Sequence, residues 1–276
     1  SFKVRGAANR MLALSHEQRA RGVVACSSGN HGRAVAYIAE RLAIPATVCV
    51  PEWVDPTKLE AIRLHGAETV LYGSTYDEAE ARSLDIQRER GLVYIHPFDD
   101  PHVIGGQGTI GLELLEQLPA LDTVVVPLSG GGLIGGIAVA LKARDPAIRV
   151  IGASASRAAV MYESLQVGRP IACPEEATIA DALAGGIGLD NQHTFRLVQE
   201  HVDEHIVVAE DEIREAMAFA AKDLKLVVEG GGAVALATIL AGKLHRPGSH
   251  VAVVVSGGNV ELSRLLEVVG GARETG

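Results

Sequence analysis

Short apolar runs that alternate with longer helix-like stretches are the feature that most restricts the fold of this chain. Residues 22–26, 46–50 and 122–127 are continuous apolar runs rich in β-branched residues, without a polar residue at every second position. Such runs are typical of parallel strands that are covered by helices on both faces of a sheet. With right-handed crossovers, the pattern predicts an α/β fold with doubly wound, open parallel sheets.

The pattern extends over the whole chain and suggests two lobes with a cleft between them. One lobe holds the strands of residues 22–97, and the other holds the strands from residue 122 onwards. We predict a large domain of residues 1–21 and 101–276 and a small domain of residues 22–100. Predicted strands cover 22–26, 46–50, 68–72, 92–95, 122–127, 149–153, 205–208 and 250–255, and predicted helices include 7–21, 56–65, 75–90, 103–118, 132–143, 156–165, 192–202, 210–224 and 261–269.

Composition and charge exclude several classes of partner. The chain has 276 residues and a formal net charge of -9, which argues against nucleic acid or an anionic membrane as a partner. Its three cysteines are an odd number without metal-ligand spacing, as expected for free thiols in a reducing compartment. No apolar run approaches the length of a membrane span, so a cytoplasmic protein is expected.

Three glycine clusters follow apolar runs and precede helix-like stretches. They are SSGNHG (27–32), SGGGL (129–133) and SGGN (256–259). Consecutive glycines at a strand-to-helix turn let backbone N–H groups converge on an anion such as phosphate, although the same glycines can form a simple tight turn. Gly130, Gly132 and Gly135 also satisfy the dinucleotide pattern G-x-G-x-x-G, but the strand that should then end in a carboxylate ends in Ser154.

The polar residues of these clusters each have a structural alternative. Ser27, Ser28 and Asn30 can be helix caps or can line a binding pocket, and neither serine lies in the G-x-S-x-G pattern of hydrolases. His31 is expected to be structural, because no orienting carboxylate stands beside it in sequence. Glu229 and Ser256 are each either a cap or a contact to a heterocyclic ring.

The motifs SFKVRGA, SSGNHG, GQGT, SGGGL, TIAD, EGGGA and SGGN occur in this order along nearly the whole chain. In this order they resemble the pyridoxal-phosphate enzymes of the threonine/serine dehydratase and serine racemase family. The resemblance implies the two-lobed fold-type II architecture and a homodimer or homotetramer. It also implies roughly fifty residues ahead of the lysine of SFK, so the large domain is expected to have a further N-terminal part.

The resemblance implies roles for individual residues. Lys3 would form the internal Schiff base with pyridoxal 5'-phosphate, and Ser28 would exchange a proton on the opposite face of the cofactor. Expected cofactor contacts are Phe2, Lys3, Asn30, Ser129, Gly130, Gly131, Gly132, Leu133, Glu229 and Ser256. Expected substrate contacts are Ser27, Ser28, Gly29, Asn30 and His31. No metal site is expected, because the two carboxylates that bind a cation in eukaryotic serine racemases align with Ser154 and Val160.

The expected activity is removal of water and ammonia from a 3-hydroxy-L-amino acid of the threonine/serine type, which leaves a 2-oxo acid. Stretches such as LAGGIGLDN are also similar to the dehydratase of hydroxyectoine breakdown, whose substrate would be an acetylated 3-hydroxy-diaminobutyrate. Serine racemization is a third alternative. A nicotinamide-dependent dehydrogenase and a non-catalytic pyridoxal-phosphate-binding protein are alternatives from other classes.

Overall fold

The computed structural model describes residues 1–27 and 29–271, which fall into two compact units, Ser1–Gly106 and Gln107–Gly276. Each unit contains one parallel sheet, which confirms the predicted α/β class with parallel sheets. Among the described residues, no helix has the length and apolar character needed to cross a membrane.

The first unit is built on a four-stranded parallel sheet in the order β3-β2-β1-β4. Alternate residues of a strand face opposite sides: Val23 and Ala25 pack with α1 and α3, whereas Val24 packs with Ile86 of α5. Its elements are α1 (Lys3–Leu12), α2 (His16–Arg21), β1 (Val23–Cys26), α3 (Asn30–Leu42), β2 (Ala46–Val50), α4 (Pro56–Arg63), β3 (Glu68–Leu71), α5 (Tyr76–Arg90) and β4 (Val93–Tyr94).

The second unit has a four-stranded parallel sheet in the order β7-β6-β5-β8. Its core combines Val125 and Ile151 of the sheet with apolar residues of α10 and α11. Helix α6 (Pro101–Gln117) contains the boundary, since its first six residues belong to the first unit. The other elements of the second unit are β5 (Thr123–Pro127), α7 (Gly132–Arg144), β6 (Arg149–Ala155), α8 (Val160–Val167), a 3₁₀ turn (Asp181–Leu183), α9 (Thr194–His201), β7 (Glu204–Val208), α10 (Glu210–Lys222), α11 (Gly230–Leu240), β8 (Val251–Val253) and α12 (Leu262–Gly271).

The two sheets share one topology. In each, the first three strands run outward in one direction and the fourth pairs with the other side of the first strand. This reversal is a topological switch point, where ligands of open α/β sheets bind beyond the carboxyl ends of the strands. The loops at these ends follow β1 and β4 in the first unit, and β5 and β8 in the second.

One helix prediction was wrong, and the reason is local. The predicted single helix over 7–21 is two helices, α1 and α2. Ser15 separates them because its Oγ accepts a hydrogen bond from the Gln18 N–H at 3.2 Å while its own N–H donates to Gln18 Oε1 at 2.9 Å. This capping box starts a new helix.

The structure places residues 1–21 in the first unit, where Ala7 and Met11 of α1 pack against Val35 of α3. The domain division proposed from the sequence stays a prediction.

Candidate active site

In the first unit, two expected site residues, Lys3 and His31, bond to the segment that follows β4 at the switch point. The Nζ atom of Lys3 donates a hydrogen bond to the Pro97 carbonyl at 2.6 Å, and it lies 5.2 Å from the centroid of the Phe2 ring. Burial lowers the pKa of Lys3 to about 8 from its ordinary value of 10.5. At neutral pH about a tenth of such amines are uncharged, so Lys3 is suited to bond formation and proton transfer.

His31 lies in the same region and is buried in the first turn of α3, only 3% exposed. Its Nε2 atom is 2.7 Å from the Ile95 carbonyl. A carbonyl only accepts, so Nε2 carries the proton and donates. Burial, with contributions from the nearby Lys3 and His96, lowers the pKa of His31 to about 3. His31 is therefore a neutral side chain near Lys3, in agreement with its expected structural character.

The SSGNHG loop connects β1 to α3 and is held by its own polar atoms. Ser27 Oγ accepts a hydrogen bond from the Gly29 N–H at 3.1 Å. A Cβ on Gly32 would come within 2.2 Å of the Ser27 carbonyl, so glycine is required for the loop to fold back on the helix. Asn30 is the first residue of α3 and is half-buried. Ser28, the expected proton-transfer residue, lies outside the described residues.

In the second unit, the SGGGL loop joins β5 to the buried N-terminus of α7. Gly131 is the N-cap residue with φ +85°, and a Cβ there would lie 2.9 Å from Met161 Cε and 3.0 Å from Thr194 Cβ. The first four N–H groups of a helix have no partner within it. From Gly131 to Ile134 they therefore offer donors to an anion, and Gly130, Gly132 and Leu133 belong to the same turn.

Ser129 uses its hydroxyl within the fold. Its Oγ donates to the Leu183 carbonyl at 2.7 Å. This bond ties the loop to the segment at Leu183 and engages the hydroxyl within the fold.

The EGGG, TIAD and SGGN motifs meet in the second unit. A Cβ on Gly230 would lie 2.1 Å from the Ile179 carbonyl, and one on Gly232 would lie 2.4 Å from the Gly257 carbonyl. Glu229 is buried at the N-cap position of α11, and its side chain makes no capping bond, so the helix-cap alternative does not describe it. Ser256 is also buried, close beyond the end of β8.

Sequence reasoning missed two groups. The Gln107 side chain of the GQGT motif is buried, and among the described residues its amide nitrogen and oxygen have no hydrogen-bond partner. The sequence signal that could have identified Gln107 is its position in the GQGT motif. The second group is the segment after β4, where His96 and Pro97 lie; a backbone carbonyl acceptor such as that of Pro97 has no sequence signature.

Each unit offers a group that suits one part of a cofactor with an aldehyde and a phosphate. In the first unit, the Lys3 amine with its lowered pKa suits the aldehyde. In the second unit, the glycine turn at the N-terminus of α7 offers backbone N–H groups that suit the phosphate.

Residues 1–257 match the family described as pyridoxal-phosphate dependent enzyme. The chain belongs to this family. Membership confirms the predicted cofactor, pyridoxal 5'-phosphate, in place of a dinucleotide.

Individual relatives are similar over almost the whole chain. The chain is 44% identical over 269 residues to an L-threonine ammonia-lyase of Thermotoga maritima, which covers 98% of this chain and 66% of that protein. It is 40% identical over 272 residues to the catabolic L-threonine dehydratase of Escherichia coli K12, covering 98% and 82%. The structure of maize serine racemase is similar with a TM-score of 0.91 and 40% identity, over 97% of this chain and 82% of that one. The chain thus spans only about two thirds of the Thermotoga protein's length.

Proposed function

We propose that this chain carries the active site of a pyridoxal-phosphate-dependent ammonia-lyase that acts on 3-hydroxy-L-amino acids of the threonine/serine type. The observation that carries the proposal is the half-buried Lys3 amine with its lowered pKa. It stands in a chain that is 44% identical to a protein named L-threonine ammonia-lyase and 40% identical to one named catabolic L-threonine dehydratase. The expected homodimer or homotetramer and the cytoplasmic location stay predictions.

Each expected cofactor contact would have its own role. Lys3 would bind the aldehyde carbon of the cofactor, with Phe2 near the ring, and Asn30 would bond the phenolic oxygen. The turn from Ser129 to Leu133 would bind the phosphate through backbone N–H groups. Ser256 would face the ring nitrogen, and Glu229 would be a buried acid beside the ring. When bound, pyridoxal phosphate supplies an aldehyde for amino groups and a ring that withdraws electrons from the substrate Cα.

The protein's own groups would then orient the substrate and move its protons. The N–H groups and side chains of residues 27–31 would bind the substrate carboxylate. The uncharged Lys3 amine would remove the Cα proton, after which the Cβ hydroxyl leaves with a proton as water. The enamine that is released takes water back on hydrolysis, so the net products are one 2-oxo acid and one ammonia.

His31 is unsuited to be the base, because its Nε2 proton is committed to the Ile95 carbonyl and its basicity is low. A neutral hydroxyl at Ser256, in place of a carboxylate, would leave the ring nitrogen largely unprotonated. This favours loss of a β-substituent over a long-lived carbanion.

The test is formation of 2-oxo acid and ammonia from a panel of L-threonine, L-serine and the acetylated 3-hydroxy-diaminobutyrate of hydroxyectoine breakdown. We expect turnover of L-threonine or L-serine by protein that shows the visible absorption band of the bound cofactor. Turnover of the diaminobutyrate derivative alone would reassign the substrate. A protein with the band and no turnover of any substrate would instead be a non-catalytic binder.

Serine racemization is a second candidate, favoured by the similarity to maize serine racemase. It requires a proton donor on the face opposite Lys3, for which Ser28 is the predicted group. Formation of D-serine from L-serine in deuterium oxide, with deuterium at Cα, tests it. The Ser28→Ala variant is expected to lose racemization.

A further inference from the structure

The segment from Ile95 to Asp99 follows β4, and neither the motifs nor the proposed function assigns it a role. Its backbone carbonyls nevertheless bond two expected site residues of the first unit, Lys3 and His31. The Ile95 carbonyl accepts from His31, and two residues later the Pro97 carbonyl accepts from Lys3. One short segment therefore fixes both groups.

His96 determines the shape of this segment. Its Nδ1 atom accepts hydrogen bonds from the Phe98 N–H at 3.2 Å and the Asp99 N–H at 2.7 Å. An imidazole nitrogen that accepts two bonds carries no proton. The ring packs edge-to-face with Phe98 at 4.7 Å and with Tyr94 at 6.1 Å between centroids. The side chain thus closes a turn around the Pro97 peptide.

The proposed function implies a role for the Pro97 carbonyl as a hydrogen-bond partner of the free Lys3 amine. An amine that binds and leaves an aldehyde in every turnover needs a defined position while it is free. A carbonyl is a suitable partner, because it accepts from the lysine without adding a charge. The titratable groups in this region are Lys3, His31 and His96, since Lys3 and His96 both contribute to the lowered pKa of His31.

We propose that the Pro97 carbonyl, presented by the turn that His96 closes, is the binding position of Lys3 whenever its amine is not bonded to the cofactor. His96 is then a positioning residue for the catalytic amine. This inference rests on the role of Lys3 in the proposed function.

The test measures Lys3 in the full chain after the cofactor has been removed, by competitive acetylation between pH 6 and 11 with mass spectrometry of the Lys3 peptide. The variant His96→Leu removes the acceptor, whereas in His96→Asn the side-chain oxygen still accepts from the N–H groups two and three residues on. His102→Leu is the matched control at an exposed histidine, and the exposed Lys58 is an internal reference for acetylation.

In His96→Leu, loss of a hydrogen bond to the ammonium is expected to lower the pH midpoint of Lys3 acetylation by about one unit. The midpoint should be unchanged in His96→Asn and His102→Leu. If His96→Leu does not fold, as judged by its thermal transition, His96→Ala replaces it with the same expectation. A midpoint that stays constant or rises without the acceptor, or one that falls equally in His96→Asn, would overturn the inference.

Labelling of cofactor-free protein is independent of turnover. A shifted midpoint in a chain without lyase activity would refute the proposed function and leave the turn in place. An unshifted midpoint in an active enzyme would refute the role of the turn and leave the proposed function in place.

Discussion

The two units have the same strand order but differ in the chemical groups that their loops present at the switch point. Each has a parallel sheet of the same strand order, a glycine-containing loop after its first strand and a second loop of its switch point after its fourth. In the first unit the loop carries Ser27, Asn30 and His31, so side chains supply donors and acceptors in addition to the backbone N–H groups. In the second unit the loop is a run of glycines with backbone donors. Backbone N–H groups suit phosphate, and side chains suit proton transfer and recognition of shape.

The comparison predicts where substitution is most damaging. A side-chain site should fail when one group is removed, whereas a backbone site should fail when a side chain is added.

Removal of the Lys3 amine is expected to have the largest effect. Lys3→Ala should lower lyase turnover by about 10⁴-fold or more, because one group provides both the covalent attachment and the base. Absorption spectroscopy should show loss of the visible cofactor band. Lys58→Ala, at an exposed lysine of α4, is the control and should match the wild type. Retention of the band in Lys3→Ala would show that another residue holds the cofactor.

Addition of a methyl group at Gly131 is the corresponding change in the second unit. Gly131→Ala places a Cβ against Met161 and Thr194 at a positive φ, so the turn must move and its N–H groups with it. Equilibrium dialysis should show a loss of cofactor affinity of tenfold or more, as expected for one lost charged hydrogen bond, roughly 1.5–3 kcal/mol.

Gly168→Ala is the matched control for Gly131. It has a similar φ of +81°, but a Cβ there meets nothing within 4 Å. It carries the backbone strain alone, about 1–2 kcal/mol of folding stability, and should leave cofactor affinity unchanged. Equal affinity loss in both variants would mean that strain, and not displacement of the loop, is responsible.

The contrast between side-chain and backbone interactions also explains which structural features could be predicted from the sequence. The first and last residues of the strand Ala46–Val50 were predicted correctly, because a short apolar run bounded by proline on both sides restricts where a strand can begin and end. The glycine turn at Gly131 was predictable because the need for glycine is local. The break at Ser15 was readable as a capping box, S-x-x-Q, but the helical pattern on both sides obscured it.

Contacts to backbone carbonyls far along the chain could not be predicted. Lys3 is paired with the Pro97 carbonyl and His31 with that of Ile95, and every residue type offers this acceptor. The same holds for Ser129, whose partner Leu183 is 54 residues away. Such pairs are set by the tertiary fold.

Acidification should affect the first unit through His31. The pKa of His31 is lowered from 6.5 to about 3 in the folded protein, so the unfolded chain binds the proton first as the pH falls. The stability that comes from keeping His31 neutral is complete above pH 6.5 and is lost progressively below it, by about 1.4 kcal/mol per pH unit. Urea unfolding should therefore show about 2 kcal/mol less stability from this residue at pH 5 than at pH 7.

The variant His31→Gln isolates this contribution, because its amide donates to the Ile95 carbonyl without titrating. The difference in stability between pH 7 and pH 5 should be smaller in His31→Gln than in the wild type. His102→Gln, at an exposed histidine, should retain the wild-type difference. A wild-type pH dependence in His31→Gln would place the titrating group elsewhere.

The smallest effect is expected at Ser129, the one residue of the glycine loop with a side-chain donor. Its hydroxyl is bonded to the Leu183 carbonyl, so the loop should bind phosphate through its backbone alone. Ser129→Ala should change cofactor affinity by less than about threefold and lower the free energy of unfolding by about 1 kcal/mol, the net worth of one neutral hydrogen bond. Dialysis and urea unfolding measure the two quantities. A tenfold loss of affinity would instead make Ser129 a phosphate ligand, and the second unit would then bind with a side chain as the first unit does.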